Sequence, residues 1–137
     1  MTLIEAFEEA CARAAGRDIA QVSARDRALV VIWGIEAEVN NGGFDQYYFN
    51  SAGDYARCAP AALHEIGAHK MAQIVERANA LFGPDGPPAD RDERDGALFR
   101  ITEGDAEAWE QLDREFHAYP DDIEALLLKY LGLDSAR

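Results

Sequence analysis

The stretch Glu36-Ala37-Glu38-Val39-Asn40-Asn41-Gly42-Gly43-Phe44-Asp45-Gln46-Tyr47-Tyr48-Phe49-Asn50 decides how the rest of the chain must be arranged. Its first residues continue an apolar helical run, Ala28-Leu29-Val30-Val31-Ile32-Trp33-Gly34-Ile35. Glycine and asparagine tolerate positive φ at low steric cost, so Asn40-Asn41-Gly42-Gly43 predicts a sharp turn. Beyond it, Phe44, Tyr47, Tyr48 and Phe49 alternate with Asp45, Gln46 and Asn50. That pattern predicts one short aromatic helix, closed by Ser51-Ala52-Gly53-Asp54.

Upstream, Ser23 with Asp26 three residues on marks an N-cap and opens a helix over 24–40. The middle of this helix is apolar nearly all the way round, which places it at the centre of a bundle. Valine and isoleucine also suit a buried strand, but the run passes into Glu36-Ala37-Glu38 without punctuation, and that length favours helix. Nearer the start, Thr2 and Glu5 form a capping-box pattern. Leu3, Phe7, Cys11 and Ala14 then share one face of a helix over 3–15 that Gly16 ends.

Downstream, Pro60 suits a first helical position, and Leu63, Ile66, Met71, Ile74 and Ala78 keep a helical period as far as Gly83-Pro84. Gly67 is the point where this helix bends or splits, near His69. Residues 83–88 are a Gly- and Pro-rich loop. Asp90 to Ile101 reads as a further helix. Asp105 caps the next, whose inner face is Trp109, Leu112 and Phe116, and Tyr119-Pro120 breaks it. The last helix starts at Asp121, with Glu124 completing an acidic capping box. Its stripe is Ile123, Leu126, Leu127, Tyr130 and Leu131. The expectation is an all-α single domain of six or seven helices around the central helix 24–40.

At 137 residues the chain is one ordinary domain, able to bury roughly two thirds of the surface its unfolded form exposes. Its formal charge of −13 repels nucleic acid and anionic membranes, so direct binding to either is not expected. The charge is uneven: residues 89–137 carry fourteen acids against six bases. No apolar run approaches a membrane span, and a glutamate follows the N-terminus almost at once, so a cytoplasmic, soluble protein is expected. Cys11 and Cys58 stand apart without a Cys-x-x-Cys pair and read as small core residues kept reduced.

Few residues spell a reaction. His64-Glu65-Ile66-Gly67-Ala68-His69 looks like a zinc-protease helix, but a separation of five turns the second imidazole by roughly 140° from the first. Only a split at Gly67 would bring the rings together. His117 and Asp113 are expected to form a helix-surface pair. Asn41-Gly42-Gly43 lacks the lysine and hydroxyl that a phosphate loop needs. Ser23 and Ser51 both read as caps, leaving no nucleophile with a histidine and an acid. No cofactor, metal or catalytic residue is therefore expected, and Asp45 to Asp54 is the region left for a small enzyme.

The block from Glu36 to Asp54, together with Glu65-Ile66-Gly67-Ala68-His69-Lys70-Met71 and Phe116-His117-Ala118-Tyr119-Pro120-Asp121-Asp122, resembles a bacterial family of helical domains, the DNA-mimic-protein family. Its mark is an Asn-Asn-Gly-Gly-Phe-x-Gln-Tyr motif, and the resemblance covers roughly residues 20–131. The resemblance implies that Asn40, Asn41, Gly42, Gly43, Phe44, Gln46, Tyr47 and Asn50 are determinants of the fold. It also implies a homodimer, and surface carboxylates that stand in for DNA phosphates on the DNA-binding face of a transcription factor. The motif itself brings no catalytic residue.

The leading functional reading is thus an acidic, non-enzymatic interaction protein for a basic, DNA-binding partner. An immunity-type or other protein-binding inhibitor without mimicry is the alternative, and the small enzyme is the third. Duplex DNA carries a phosphate about every 3.4 Å along each strand, whereas one helix face offers a carboxylate about every 5.4 Å. Two elements must therefore combine. Glu103, Glu107 and Glu110 form one stripe opposite Trp109, Leu112 and Phe116, and Asp121, Asp122 and Glu124 begin the next helix. Against them, Asp90–Arg94, Arg91–Asp95 and Glu110–Arg114 are spaced as i, i+4 pairs that neutralise part of the field. Glu36 is expected to be substantially buried and to take donors from the N–H groups of Asn41, Gly42 and Gly43 or from the amides of the next helix. Glu38 is expected to matter little.

Overall fold

The Thr2 hydroxyl accepts the N–H of Glu5 at 3.1 Å while the Glu5 carboxylate accepts the N–H of Thr2 at 2.7 Å, so the first helix begins with both halves of its capping box. In this computed structural model, which describes residues 1–133, the chain forms helices α1 (Leu3–Ala14), α2 (Ala24–Phe49), α3 (Ala59–Glu65), α4 (His69–Ala80), α5 (Arg91–Gly104), α6 (Glu110–His117) and α7 (Ile123–Leu131). Short 3₁₀ segments, Ile19–Gln21 and Ser51–Cys58, flank α2. Among the described residues there is no strand, and no helix is long and apolar enough to cross a membrane.

Helix α2 is the axis of the bundle, packing against α1, α3, α5, α6 and the Ser51–Cys58 segment. Ala28, Leu29, Val31, Ile32, Ile35 and Val39 are all buried, as the all-round apolar pattern requires. Ser23 caps it by accepting the Asp26 N–H, and Asp26 is itself buried against Arg13 in a two-point ion pair of 2.7 and 2.9 Å. One continuous core results, which α4 joins through Met71, Ile74 and Val75 and α7 through Ile123 and Leu127.

The sharp turn expected across Asn40 to Gly43 is confined to one residue. Asn40, Asn41 and Gly42 stay helical, and only Gly43 leaves the helix, at φ 86° and ψ −179°. That conformation is essentially restricted to glycine. The aromatic helix therefore follows directly from α2 and ends at Phe49, capped by Asn50. Asn40, Asn41 and Gly42 are exposed on the helix surface and keep its hydrogen bonding, so the break falls on buried Gly43 alone.

Other boundaries shift for local reasons. Gly67, at φ 88°, splits α3 from α4. The cap of α7 is Asp122 rather than Asp121, accepting the Ala125 N–H at 3.1 Å, because Asp121 is turned inward to accept the Met71 N–H of α4 at 2.9 Å. Asp105 does not start α6. It accepts the Glu107 N–H at 3.0 Å in a tight turn, and α6 opens only at Glu110. Trp109, Leu112 and Phe116 are nevertheless buried as the inner face. Ser51 is exposed and caps nothing. Cys11 and Cys58 are half-buried free thiols.

Candidate functional site

The kink at Gly43 is flanked by Asp113, the aromatic cluster around Phe44, and His117. A Cβ at this position would lie 2.7 Å from Oδ2 of Asp113. The same carboxylate accepts the Phe44 N–H at 2.9 Å, supplying the acceptor that the kinked helix no longer provides. Burial raises the Asp113 pKa against the lowering effect of that hydrogen bond. Phe44 inserts among Tyr48, Trp109 and Phe116, with ring centroids 5.6 to 6.5 Å apart. His117, expected to pair with Asp113, instead places Nε2 3.2 Å from the Val39 carbonyl on the other side of the kink.

Two carboxylates flank the junction, and the structure exchanges the roles foreseen for them. Glu36 is half-buried, and its donor is the Tyr119 hydroxyl at 2.6 Å, which in turn accepts from the Asn40 amide at 2.6 Å. Burial raises the Glu36 pKa, with Glu124 and Asp122 adding to the rise and Tyr119 opposing it. The amides expected for Glu36 go to Glu38: Gln46 Nε2 donates at 2.7 Å and Asn50 Nδ2 at 3.0 Å to the same oxygen. Helical geometry explains the exchange. Residues 36 and 40 share the face on which Tyr119 lies, whereas Glu38 faces the aromatic helix.

The residue that sequence reasoning missed is Arg94. It stands in α5 where an i, i+4 pair with Asp90 was expected, yet its side chain is completely buried. Asp90 caps α5, and the guanidinium donates to the carbonyls of Tyr48 (2.6 Å), Asn50 (3.2 Å), Pro88 (3.2 Å) and Ala89 (3.3 Å), and to Asp54 Oδ1 at 2.8 Å. Tyr48 and Asn50 lie at the C-terminal end of the aromatic helix, where carbonyls lack helical partners and a cation is favoured. Asp54 also receives Arg91 at 3.2 Å. The only sequence signal was the helical wheel, on which Arg94 falls one turn before Leu98.

Tyr47 is fully buried with a hydroxyl that has no partner among the described residues, and burial pushes its pKa up. Tyr48 donates to Asn79 Oδ1 at 2.6 Å. Asn41 and Gly42 are exposed, and the nearest atoms that a Cβ on Gly42 would meet belong to the Gln46 side chain. The split at Gly67 does bring the histidines together: the Nδ1 atoms of His64 and His69 are 2.7 Å apart, and His64 Nε2 faces Glu76 at 3.3 Å. No group of three or more His, Cys, Asp or Glu side chains among the described residues could hold a metal ion.

The acidic surface is distributed differently from the expected stripe. Glu103 lies in the last turn of α5, Glu107 in the connecting turn and Glu110 at the first position of α6, so the three do not share one helix. Glu103, Glu107, Glu110, Asp122 and Glu124 are exposed, whereas Asp121 is half-buried on its bond to Met71. None of the six takes part in an ion pair among the described residues. The three neutralising i, i+4 pairs do not form either, since Arg91 and Arg94 turn to Asp54 and Arg114 donates to Gln111 at 2.8 Å. Glu36, Asp122 and Glu124 also line one groove of about 470 Å³ with Trp33, Asn40 and Tyr119.

The described residues thus form a helical domain with a kink at Gly43, a buried arginine clamp and exposed carboxylates outside any ion pair. The chain belongs to the DMP19-like protein family, whose match spans residues 20–134. No curated protein and no solved structure matches it.

Proposed function

We propose that this chain is an acidic, non-enzymatic interaction protein of the cytoplasm that occupies the DNA-binding face of a basic protein, its carboxylates standing in for phosphates. The observation that carries the reading is the set of exposed carboxylates, Glu103, Glu107, Glu110, Asp122 and Glu124, that no cation of the described residues neutralises. Membership of the DMP19-like family supports it. Exposed carboxylates of this kind attract Lys and Arg over about a Debye length, some 8–10 Å at physiological salt. The enzyme reading has less to stand on, because Asp54 is engaged by Arg91 and Arg94 and Asp45 accepts its neighbour's N–H at 2.7 Å.

The test is capture of partners from the native host, followed by competition with duplex DNA. The reading expects a basic DNA-binding protein, bound with strong salt dependence, displaced by DNA, and weakened when Glu103, Glu107, Glu110 and Glu124 become glutamine. Asp121 is left out of that set because it holds α4. A partner indifferent to salt, to DNA and to the four changes would point instead to an inhibitor that does not mimic DNA.

A further inference from the structure

The two most exposed aromatic side chains of the described residues, Phe99 and Phe49, at 65% and 58%, line the same groove. With Leu98 they line a groove of about 550 Å³ between the aromatic end of α2 and the outer face of α5. Two phenyl rings left in water on adjoining helices are an unusual surface for a chain of such charge, and exposed apolar patches of this kind mark interaction sites. The groove walls also carry Asp45 and Asp95, and no basic side chain lines it. Oδ1 of Asp95 is shut off from solvent yet has no hydrogen-bond partner among the described residues. Asp95 as a whole is only half-buried, so with Asp45 it gives the groove a negative rim.

We infer that this groove is a docking site for an amphipathic segment of a partner protein, which inserts an apolar side chain between Phe49 and Phe99 and places an Arg or Lys against Asp95 and Asp45. The occupant follows from charge complementarity. A second copy seated groove to groove would bring the same Asp45 and Asp95 and no cation to meet them. Anionic lipid is repelled in the same way. An apolar anchor ringed by cations satisfies both the phenyl rings and the two acids, in the manner of a helix laid in a groove. The inference deepens the function proposed above and rests on it for the basic character of the partner. It adds a contact that duplex DNA cannot reproduce, since DNA offers no aliphatic anchor there.

The probe is a synthetic amphipathic helical peptide of Leu, Lys and Arg, compared with a scrambled peptide of equal composition whose leucines are spread around the helix. Binding is followed on the full chain by amide chemical-shift changes. The amphipathic peptide is expected to bind about tenfold tighter and to shift Phe49, Leu98, Phe99 and Thr102. Phe49→Ser with Phe99→Ser should remove that preference while leaving the helical circular dichroism unchanged. Asp45→Asn with Asp95→Asn should weaken binding and flatten its salt dependence. Equal binding of the two peptides, or shifts confined to other faces, would overturn the groove while leaving the acidic-surface reading intact. Sedimentation showing self-association that the two serine changes abolish would overturn it too, by giving the groove to a second copy. Salt-indifferent binding of the host partner would count against the acidic reading, whatever the peptides do.

Discussion

The Nε of Arg94 donates at 2.6 Å to the main-chain carbonyl of Tyr48, forty-six residues earlier, and no part of the arginine reaches solvent. One guanidinium thus ties α5 to the end of the aromatic helix and to the loop before α5. Removing one member of such a buried, paired set leaves the others unsatisfied, at a cost of about 3–5 kcal/mol. Arg94→Met is therefore expected to lower the melting temperature steeply. Arg94→Lys should not restore it, because an ammonium cannot present a planar fork to five acceptors. A lysine variant that melts like the wild type would show that only the charge matters.

Gly43 and Gly42 are adjacent but not equivalent. Alanine at 43 meets both a backbone conformation reserved for glycine and the Asp113 carboxylate, so Gly43→Ala should cost at least about 1–3 kcal/mol in urea unfolding. At 42 the backbone is helical, where alanine gains up to about 1 kcal/mol, offset by displacement of the Gln46 amide from Glu38. Gly42→Ala is expected to be close to neutral. Equal losses at the two positions would refute the single-residue kink.

Glu38, which the sequence suggested was dispensable, accepts both amides that tie the aromatic helix back to α2. Hydrogen bonds to a charged acceptor contribute about 1.5–3 kcal/mol each at most, and partial exposure reduces this. Glu38→Ala should destabilise the fold by at least as much as Glu36→Ala, measured by thermal melting. A smaller effect at 38 than at 36 would restore the original expectation.

The pH dependence separates the carboxylates by sign. Glu36 and Asp113 have raised pKa values, chiefly from burial, so the folded chain holds these protons more tightly than the unfolded one. Their contribution is present below the unfolded value and is lost as pH rises through the folded value. Asp26 is the opposite case. The Arg13 hydrogen bonds lower its pKa, so its contribution is present above the unfolded value and lost as pH falls through the folded one. Glu36→Gln, which keeps an acceptor for Tyr119, should melt higher than the wild type at pH 7, and the difference should vanish in acid. Asp26→Asn should melt lower at pH 7, with its deficit closing in acid. Parallel melting curves across pH for either variant would contradict the assignment.

Much of the fold was legible because it depends on neighbours in the chain. The Thr2–Glu5 box, the Ser23 cap, the break at Gly67, the loop at 83–88 and the inner faces Trp109-Leu112-Phe116 and Ile123-Leu127 all follow from local hydrogen bonding and helical period. These are properties that a few residues settle among themselves. The acidic surplus and its concentration in the last third were legible for the same reason, as sums over residues.

What only the tertiary structure decided is which partner each polar side chain meets. Arg94 was predicted to pair with Asp90 and meets Tyr48, Asn50 and Asp54. Asp113 was predicted to pair with His117 and meets Phe44, and Asp121 leaves its own helix for Met71. A surface i, i+4 pair contributes only tenths of a kcal/mol, whereas an unsatisfied buried N–H or C=O costs about 1–3 kcal/mol. Once packing brings bare helix ends and a kink within reach, charged side chains turn to them, and sequence spacing alone does not reveal where those ends lie.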